Sequence, residues 1–282
     1  MLATKVQQWQ TQPTTLSVEA RVRMLAREKT PLLYSDWMRS LFVHYEVEPA
    51  VLQKVVPFEL DLREGKAYVS LVAFAMHNLR PHLGGRISAW LSRPVANHDF
   101  LNVRTYVKHR GETGIFFLAE WLPNALSVFI GPRTFGLPYR LGQLEYEHHH
   151  ERGTLQGSVT AKGAQANDQL RYHAQVDGEA SFVPCEADSL DEFLLERYTA
   201  YTERHGVRRR FRVWHEPWPQ QRVEVVVDED ALIDQTGEWF RQSRLIGANY
   251  STGVKDVQLG RPVCINGEHC ERGWSENTLK TS

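Results

Sequence analysis

Short runs of alternating apolar and polar residues, closed by tight turns, constrain this chain more than any other feature. "NVRTYVKH", the turn "RGETG" and "GIFFLAEW" follow one another as a hairpin, and "LDLREGKAYVSLVAFAMHNL" turns near Arg63–Lys66 into a strand running through Met76. "RSLFVHYEVE" sets Leu41, Val43, Tyr45 and Val47 against Phe42, His44, Glu46 and Glu48, the signature of a half-buried strand, with His44 packed or solvated. "GQLEYEHHH", "TLQGSVTAK", "DQLRYHAQVDG", "RRRFRVWH" and "RVEVVVDED" continue the pattern between Gly, Asp and Asn turns. Because turns rather than helices join most of these runs, a parallel α/β sheet is disfavoured. A mainly β (α+β) fold with an antiparallel barrel or sandwich is expected.

Few helices interrupt this pattern. Ser17 can cap a short one whose Val18, Val22 and Leu25 share a face opposite Arg21, Arg23 and Arg27. "PAVLQKVVP" fits a second, between Pro49 and Pro57. "SLDEFLLERYTAYTER" reads as a longer helix from a Ser189 cap, with Leu190, Phe193, Leu194, Arg197, Tyr198 and Tyr201 in one stripe. "GPRTFGLPYRLG" packs three glycines and two prolines into Gly131–Gly142, a composition that marks a forced change of direction.

The chain has 282 residues, which allows two domains or one large one, and it can bury a core without disulfides or a structural metal. Eight tryptophans, ten tyrosines and twelve phenylalanines suit a dense core or an aromatic-lined cavity. With 33 basic and 34 acidic side chains the formal net charge is −1, so no field gathers nucleic acid or anionic lipid. The one basic run, "VRRRFRVWH", reads as a strand with a solvated arginine face. Three cysteines without a CxxC pair suit a reducing compartment, and the spacing of Cys264, His269 and Cys270 does not match a zinc knuckle. His148 and His150 share a face at what reads as a solvated strand end. No apolar run is long enough to span a bilayer, and "MLATKVQQWQTQPTT" lacks the apolar centre of a secretory signal, so a cytoplasmic protein is expected.

There is no Walker loop, GxGxxG, HExxH or GxSxG, which removes nucleotide, zinc-protease and α/β-hydrolase chemistry. What remains is polar residues embedded in apolar strands. Glu120 follows Phe116 and Leu118 on one face. Buried there it becomes an acid or base near neutrality; at a strand end beside Trp121 and Pro123 it is only solvated. Asn102, Arg104, Tyr106 and Lys108 line one face of their strand, as a polar exterior or as a wall inside a barrel mouth where Arg104 can fork onto a carboxylate.

Six fragments then fall in order: "LNVRTYV", "GIFFLAEW", "GPRTFGLPY", "FLLERYTAYTERHG", "VWHEPWP" and "NYSTGV". Together they resemble the YqjF-like family, domain of unknown function family 2071, which is similar to a branch of the acetoacetate decarboxylase-like superfamily. The likeness runs from about Leu41 to Val254. It implies a cone-shaped antiparallel β-barrel with a few peripheral helices and an internal pocket. On that basis residues 1–30 are expected to form an arm and short helix, 31–260 the barrel domain, and 261–282 a tail.

In the decarboxylases the segment similar to "GPRTFGLPYR" ends in two lysines, the first of which forms a Schiff base with the keto acid. Gly136, Leu137 and Pro138 fit the approach, but Tyr139 and Arg140 stand at the lysine positions. A phenol forms no iminium ion, and arginine stays protonated. Of the eight lysines, most lie in tails, turns or strand ends, and Lys108 is the least implausible substitute. The family's glutamate before the hairpin strand falls on Phe100, with Asp99 on the opposite strand face, and Arg133 lies near the family's Gly-Arg-Glu.

The resemblance therefore implies a pocket for a small organic acid or carbonyl compound without lysine chemistry, with Arg104, Arg133, Tyr139 and Arg140 as ligand-binding candidates. Glu120 is the candidate catalytic residue of a rival lyase or hydrolase, with Tyr139 donating a hydrogen bond. A partner-binding protein using the arginine face is the third possibility. No cofactor, metal, nucleic acid or membrane partner is expected.

Overall fold

The hairpin of "NVRTYVKH" and "GIFFLAEW" forms as expected within one continuous sheet. The tight turn at Arg63–Lys66 forms too, but Glu59–Leu60 before it pair with Val107–Lys108 rather than with the strand that follows, so the second expected hairpin is corrected to a turn. The computed structural model describes residues 15–28, 30–83, 90, 92–163 and 168–266. The first half of the chain supplies α1 (Thr15–Glu28), β1 (Leu33–Val47), α2 (Pro49–Leu52), β2 (Glu59–Leu60), β3 (Ala67–Pro81), β4 (His98–His109), β5 (Glu112–Leu122) and α3 (Ala125–Thr134). The second half supplies β6 (Tyr139–His149), β7 (Thr154–Ala161), β8 (Gln169–Gln175), α4 (Leu190–Leu195), β9 (Thr199–Arg204), β10 (Val207–Trp214), β11 (Gln220–Glu229), α5 (Ala231–Asp234), β12 (Arg244–Leu259) and β13 (Val263–Cys264). Among the described residues no helix is long and apolar enough to cross a membrane.

The sheet closes on itself twice. One circuit runs β5-β6-β7-β8-β11-β12-β1-β3-β4 and back to β5; the other runs β5-β9-β10-β12-β1-β3-β4. Each circuit has an odd number of strands, so each needs one parallel pair among antiparallel neighbours. β5 provides both: Glu120–Leu122 pair in parallel with Tyr139–Leu141 of β6, and Ile115–Phe116 with Ala200–Tyr201 of β9. A parallel neighbour cannot be reached by a two-residue turn, and α3 lies in the crossover from β5 to β6.

Strands β12, β1, β3, β4 and β5 belong to both circuits, and their central residues are buried on both faces. Leu41, Val43 and Val103 point into one core with Trp121, Val159 and Tyr172. Phe42, Phe74, Phe100 and Phe117 point into the other with Phe211 and Trp218. Each fully buried Leu or Phe contributes about 2 kcal/mol of transfer free energy. This two-sided burial corrects the half-buried expectation for "RSLFVHYEVE": His44 is enclosed, 2.7 Å from Ser70 Oγ and 3.0 Å from Asn249 Oδ1. It also decides between the two readings of β4, whose Arg104 and Tyr106 are interior.

Other expectations are corrected for local reasons. The helix from Ser189 ends at Leu195. Ser189 does cap it, accepting from the Glu192 amide at 3.0 Å, but Glu196 leaves the helical region and Thr199–Arg204 becomes β9. Both faces of β9 are buried, so its apolar residues mimic helical spacing. The arginine face of β10 is not solvated either: Glu112 pairs with Arg210 at 2.9 Å and Arg212 at 3.3 Å, and Glu203 pairs with Arg208 at 2.8 Å. His148 is buried rather than solvated, bridging the Arg39 carbonyl at 2.8 Å and the Tyr172 hydroxyl at 2.9 Å.

Helix α1 forms but buries Ala20 and Met24, while Val18, Val22 and Leu25 face outward. Its pose is fixed by Trp214, whose indole donates to the Ser17 carbonyl at 3.0 Å and stacks under Arg21 at 4.5 Å. "GPRTFGLPY" is helix before it is corner: Gly131–Thr134 complete α3, and Gly136, at φ 74°, turns the chain into β6. Residues 1–14, His269 and Cys270 lie outside the described residues, and strand β13 carries the sheet to Cys264.

Candidate functional site

A cavity of about 190 Å³ lies within the second core, between the shared strands and β9, β10 and α3. An apolar hole of about 150 Å³ admits a benzene ring, so this one has room for a ring with substituents. Its walls are largely aromatic: Trp37, Phe42, Phe74, Phe100, Phe117 and Trp218. The Phe74 and Phe100 rings stack at 5.2 Å and those of Trp37 and Trp218 at 6.2 Å.

Polar groups enter this apolar space from β4 and β5. Along β4, His98, Phe100, Asn102 and Arg104 succeed one another at period two and all reach the cavity. On β5 the period breaks. Val103 faces Ala119 and Arg104 faces Phe117, which leaves Leu118 as an extra residue, a β-bulge. Before the bulge Ile115 and Phe117 face the cavity; after it, Glu120 does. Glu120 thus shares a face with Ile115 and Phe117, not with Phe116 and Leu118 as simple alternation predicts, and it stands directly across from Asn102.

Glu120 is 3% exposed and its Oε1 has no hydrogen-bond partner. Burial alone raises its pKa well above the usual carboxylate value, which favours the protonated acid. Tyr139 is its neighbour on β6 and lines the same wall, its pKa raised by burial and then by the nearby carboxyl. The Tyr139 ring lies against Gly131 of α3 so closely that a Cβ there would overlap it. The glycine is required by that approach.

Arg104 lies two residues further along β4. Its Nη2 donates to the Leu194 carbonyl at 3.0 Å, Tyr106 donates to the same oxygen at 2.9 Å, and Phe42 lies 5.5 Å from the guanidinium. Its Nε has no partner, and no carboxylate of the described residues is within ion-pair distance. Burial lowers its pKa, and Glu196, acting at longer range, opposes that shift. Glu196 accepts from Tyr198 at 2.5 Å and from the Trp218 amide at 2.9 Å, and burial pushes it up to about 7.

The other two candidates lie elsewhere. Arg133 is exposed on α3, donating to the Phe129 carbonyl at 2.6 Å with its guanidinium 3.7 Å over the Phe129 ring. Arg140 alternates with Tyr139 and so points outward, 5.1 Å over Trp121. Neither lines the cavity. Asp99 faces away from it, as its strand position predicts, while Phe100 lines it.

Sequence reasoning missed His98 and His215. Both line the cavity, and burial pushes both down to about 4. Neither ring nitrogen of His98 has a partner. His98 was accessible from the period-two row that ends in Arg104; His215, in a loop of two prolines, carried no such signal. Among the described residues no lysine lines the cavity. Lys108 instead pairs with Glu59 at 2.9 Å, and among the described residues no cluster of three His, Cys, Asp or Glu is placed to hold a metal.

Comparison with known proteins gives the following likenesses. The family model DUF2071, an uncharacterised conserved protein, matches residues 34–255. The uncharacterised protein YqjF of Bacillus subtilis (strain 168) is 30% identical over 210 residues, 73% of this chain and 82% of its own. Among solved structures, acetoacetate decarboxylase from Legionella pneumophila superposes with a TM-score of 0.53 at 14% identity, covering 84% of this chain and 88% of its own. The enduracididine biosynthesis enzyme MppR complexed with pyruvate superposes with a TM-score of 0.56 at 14% identity, covering 83% and 91%. At such identities the structural likeness establishes the acetoacetate decarboxylase-like fold and nothing about activity.

Proposed function

This chain belongs to the DUF2071 family, and from that premise we propose that it binds a small organic acid or carbonyl compound in its internal cavity, without Schiff-base chemistry. Arg104 carries the proposal. A buried guanidinium without a carboxylate partner is costly, and an anionic ligand entering the cavity relieves that cost while using a fork already aimed by the Leu194 carbonyl. The pyruvate complex of MppR, on the same fold, supports a small acid as the ligand class.

The exclusion of imine formation rests on the amine. At the position where the decarboxylases resemble this chain with a lysine, Tyr139 presents a phenol, and no described lysine reaches the cavity. A thermal-shift screen of keto, hydroxy and aromatic acids tests binding, since a ligand at a hundred times its dissociation constant adds about 2.7 kcal/mol of stability. Stabilisation that disappears in Arg104→Met is the expected result, and no stabilisation by any acid rejects the proposal. Incubation with acetoacetate and borohydride tests the chemistry: a trapped adduct overturns it.

One observation favours a second reading. Burial in an apolar wall beside Tyr139 raises the Glu120 pKa and so favours the protonated form that a general acid in a lyase or hydrolase requires. Turnover of a screened compound, lost in Glu120→Gln, is its expected sign; unchanged turnover in that variant removes Glu120 from the role. The arginine face of β10 has less to offer a partner, because Glu112 and Glu203 already engage Arg208, Arg210 and Arg212.

A further inference from the structure

We infer that the cavity is built for a monocyclic aromatic acid bearing a hydroxyl across the ring from its carboxylate, with the carboxylate on Arg104 and the hydroxyl between Glu120 and Asn102. The inference rests on the acid-binding proposal above and names the ligand class of the same site.

Three observations converge on it. The first is the shape of the wall. Flat rings of Trp37, Phe42, Phe74, Phe100 and Phe117 bound a volume of about 190 Å³, which suits a flat ring better than a branched aliphatic chain and favours offset or edge contacts. A three-carbon acid would leave most of that apolar surface without a partner.

The second is the polarity of the two ends. At one end Arg104 can only donate, which calls for an acceptor of negative charge. At the other, Glu120 Oε1 and Asn102 Oδ1 are buried without partners on directly paired strand positions. The carboxyl, which burial shifts toward its protonated form, offers together with the adjacent amide oxygen one donor and several acceptors. A hydroxyl answers both, donating to Asn102 Oδ1 while accepting from Glu120; an ether or a bare ring edge leaves the amide oxygen unpaired.

The third is spacing. Asn102 and Arg104 are two residues apart on β4, about 7 Å along the strand, the span of one ring with its two para substituents. Glu120 reaches the Asn102 level only because the Leu118 bulge turns it inward. The hydroxyl station therefore depends on the same irregularity that defines the cavity wall.

Titration calorimetry on the full chain near neutral pH, with 4-hydroxybenzoate, benzoate, 4-methoxybenzoate and pyruvate as probes, tests the inference. The expected result is 4-hydroxybenzoate binding at least about tenfold more tightly than benzoate or 4-methoxybenzoate, the discrimination of a buried hydroxyl site. Glu120→Leu should bring the ratio of hydroxybenzoate to benzoate affinity toward one, and Glu120→Gln, which keeps a donor and an acceptor, should preserve most of it. If 4-hydroxybenzoate binds no more tightly than benzoate, or if pyruvate binds more tightly than either aromatic acid, the inference is overturned and the acid-binding proposal stands. If no acid binds, or if Arg104→Met leaves acid affinity unchanged, both are overturned.

Discussion

Burial shifts the Glu120 pKa upward, and that makes the residue measurable apart from any ligand. Its pKa is higher in the fold than in the unfolded chain, so its stabilising effect is complete below the ordinary carboxylate value and is lost as pH rises toward the folded value. Wild type should therefore lose stability relative to Glu120→Gln by up to about 1.4 kcal/mol per pH unit above about pH 4.5, read from urea unfolding at several pH values. Gly131→Ala, which drives a methyl into the Tyr139 ring, should cost about 1–3 kcal/mol; an unchanged unfolding midpoint would show that the ring moves freely. At this scale the sequence was partly legible. Arg104 was recoverable from strand alternation and Tyr139 from the family likeness; Glu120 stood out only as a lone carboxylate in an apolar run, since alternation put it on the other face, and Arg133 was misplaced because a helix, not a turn, carries it.

At the scale of elements, the β4–β5 hairpin was plain and the exceptions to period two were not. The Leu118 bulge is set by how β5 meets β4, a relation between two strands that neither strand's own pattern contains. The α4–β9 boundary was hidden in the same way, because Ala200 and Tyr201 are both fully buried and no polar face marks β9 as a strand. Glu112 shows what such long-range relations contribute. From the β4–β5 hairpin it holds Arg210, Arg212 and the Thr199 hydroxyl, the last at 2.9 Å, and so ties β5 to β9 and β10. Arg212 is 6% exposed. Glu112→Gln should cost about 2–3 kcal/mol, at or just below the range of about 3–5 for breaking a fully buried pair, because the glutamate keeps some contact with water. Denaturant titration checks this, and a loss near zero would mean that solvent already screens the cluster.

At the scale of the whole molecule, two rings of strands share one wall, with a dense core on one side of it and the cavity on the other. Leu155 lies in the dense core, away from the cavity lining. Leu155→Ala should destabilise the protein by about 2–5 kcal/mol while leaving benzoate affinity within about twofold, because distant sites contribute nearly independently. Calorimetric melting and ligand titration on one sample measure both; a proportional fall in affinity would mean that the two sides are mechanically coupled. The arrangement gives the protein something like a hull and a hold. The hull keeps the molecule together without help from the hold, so on the proposed reading a few inward-facing side chains can be exchanged, a phenol here for an amine elsewhere, to suit the same vessel to a different cargo.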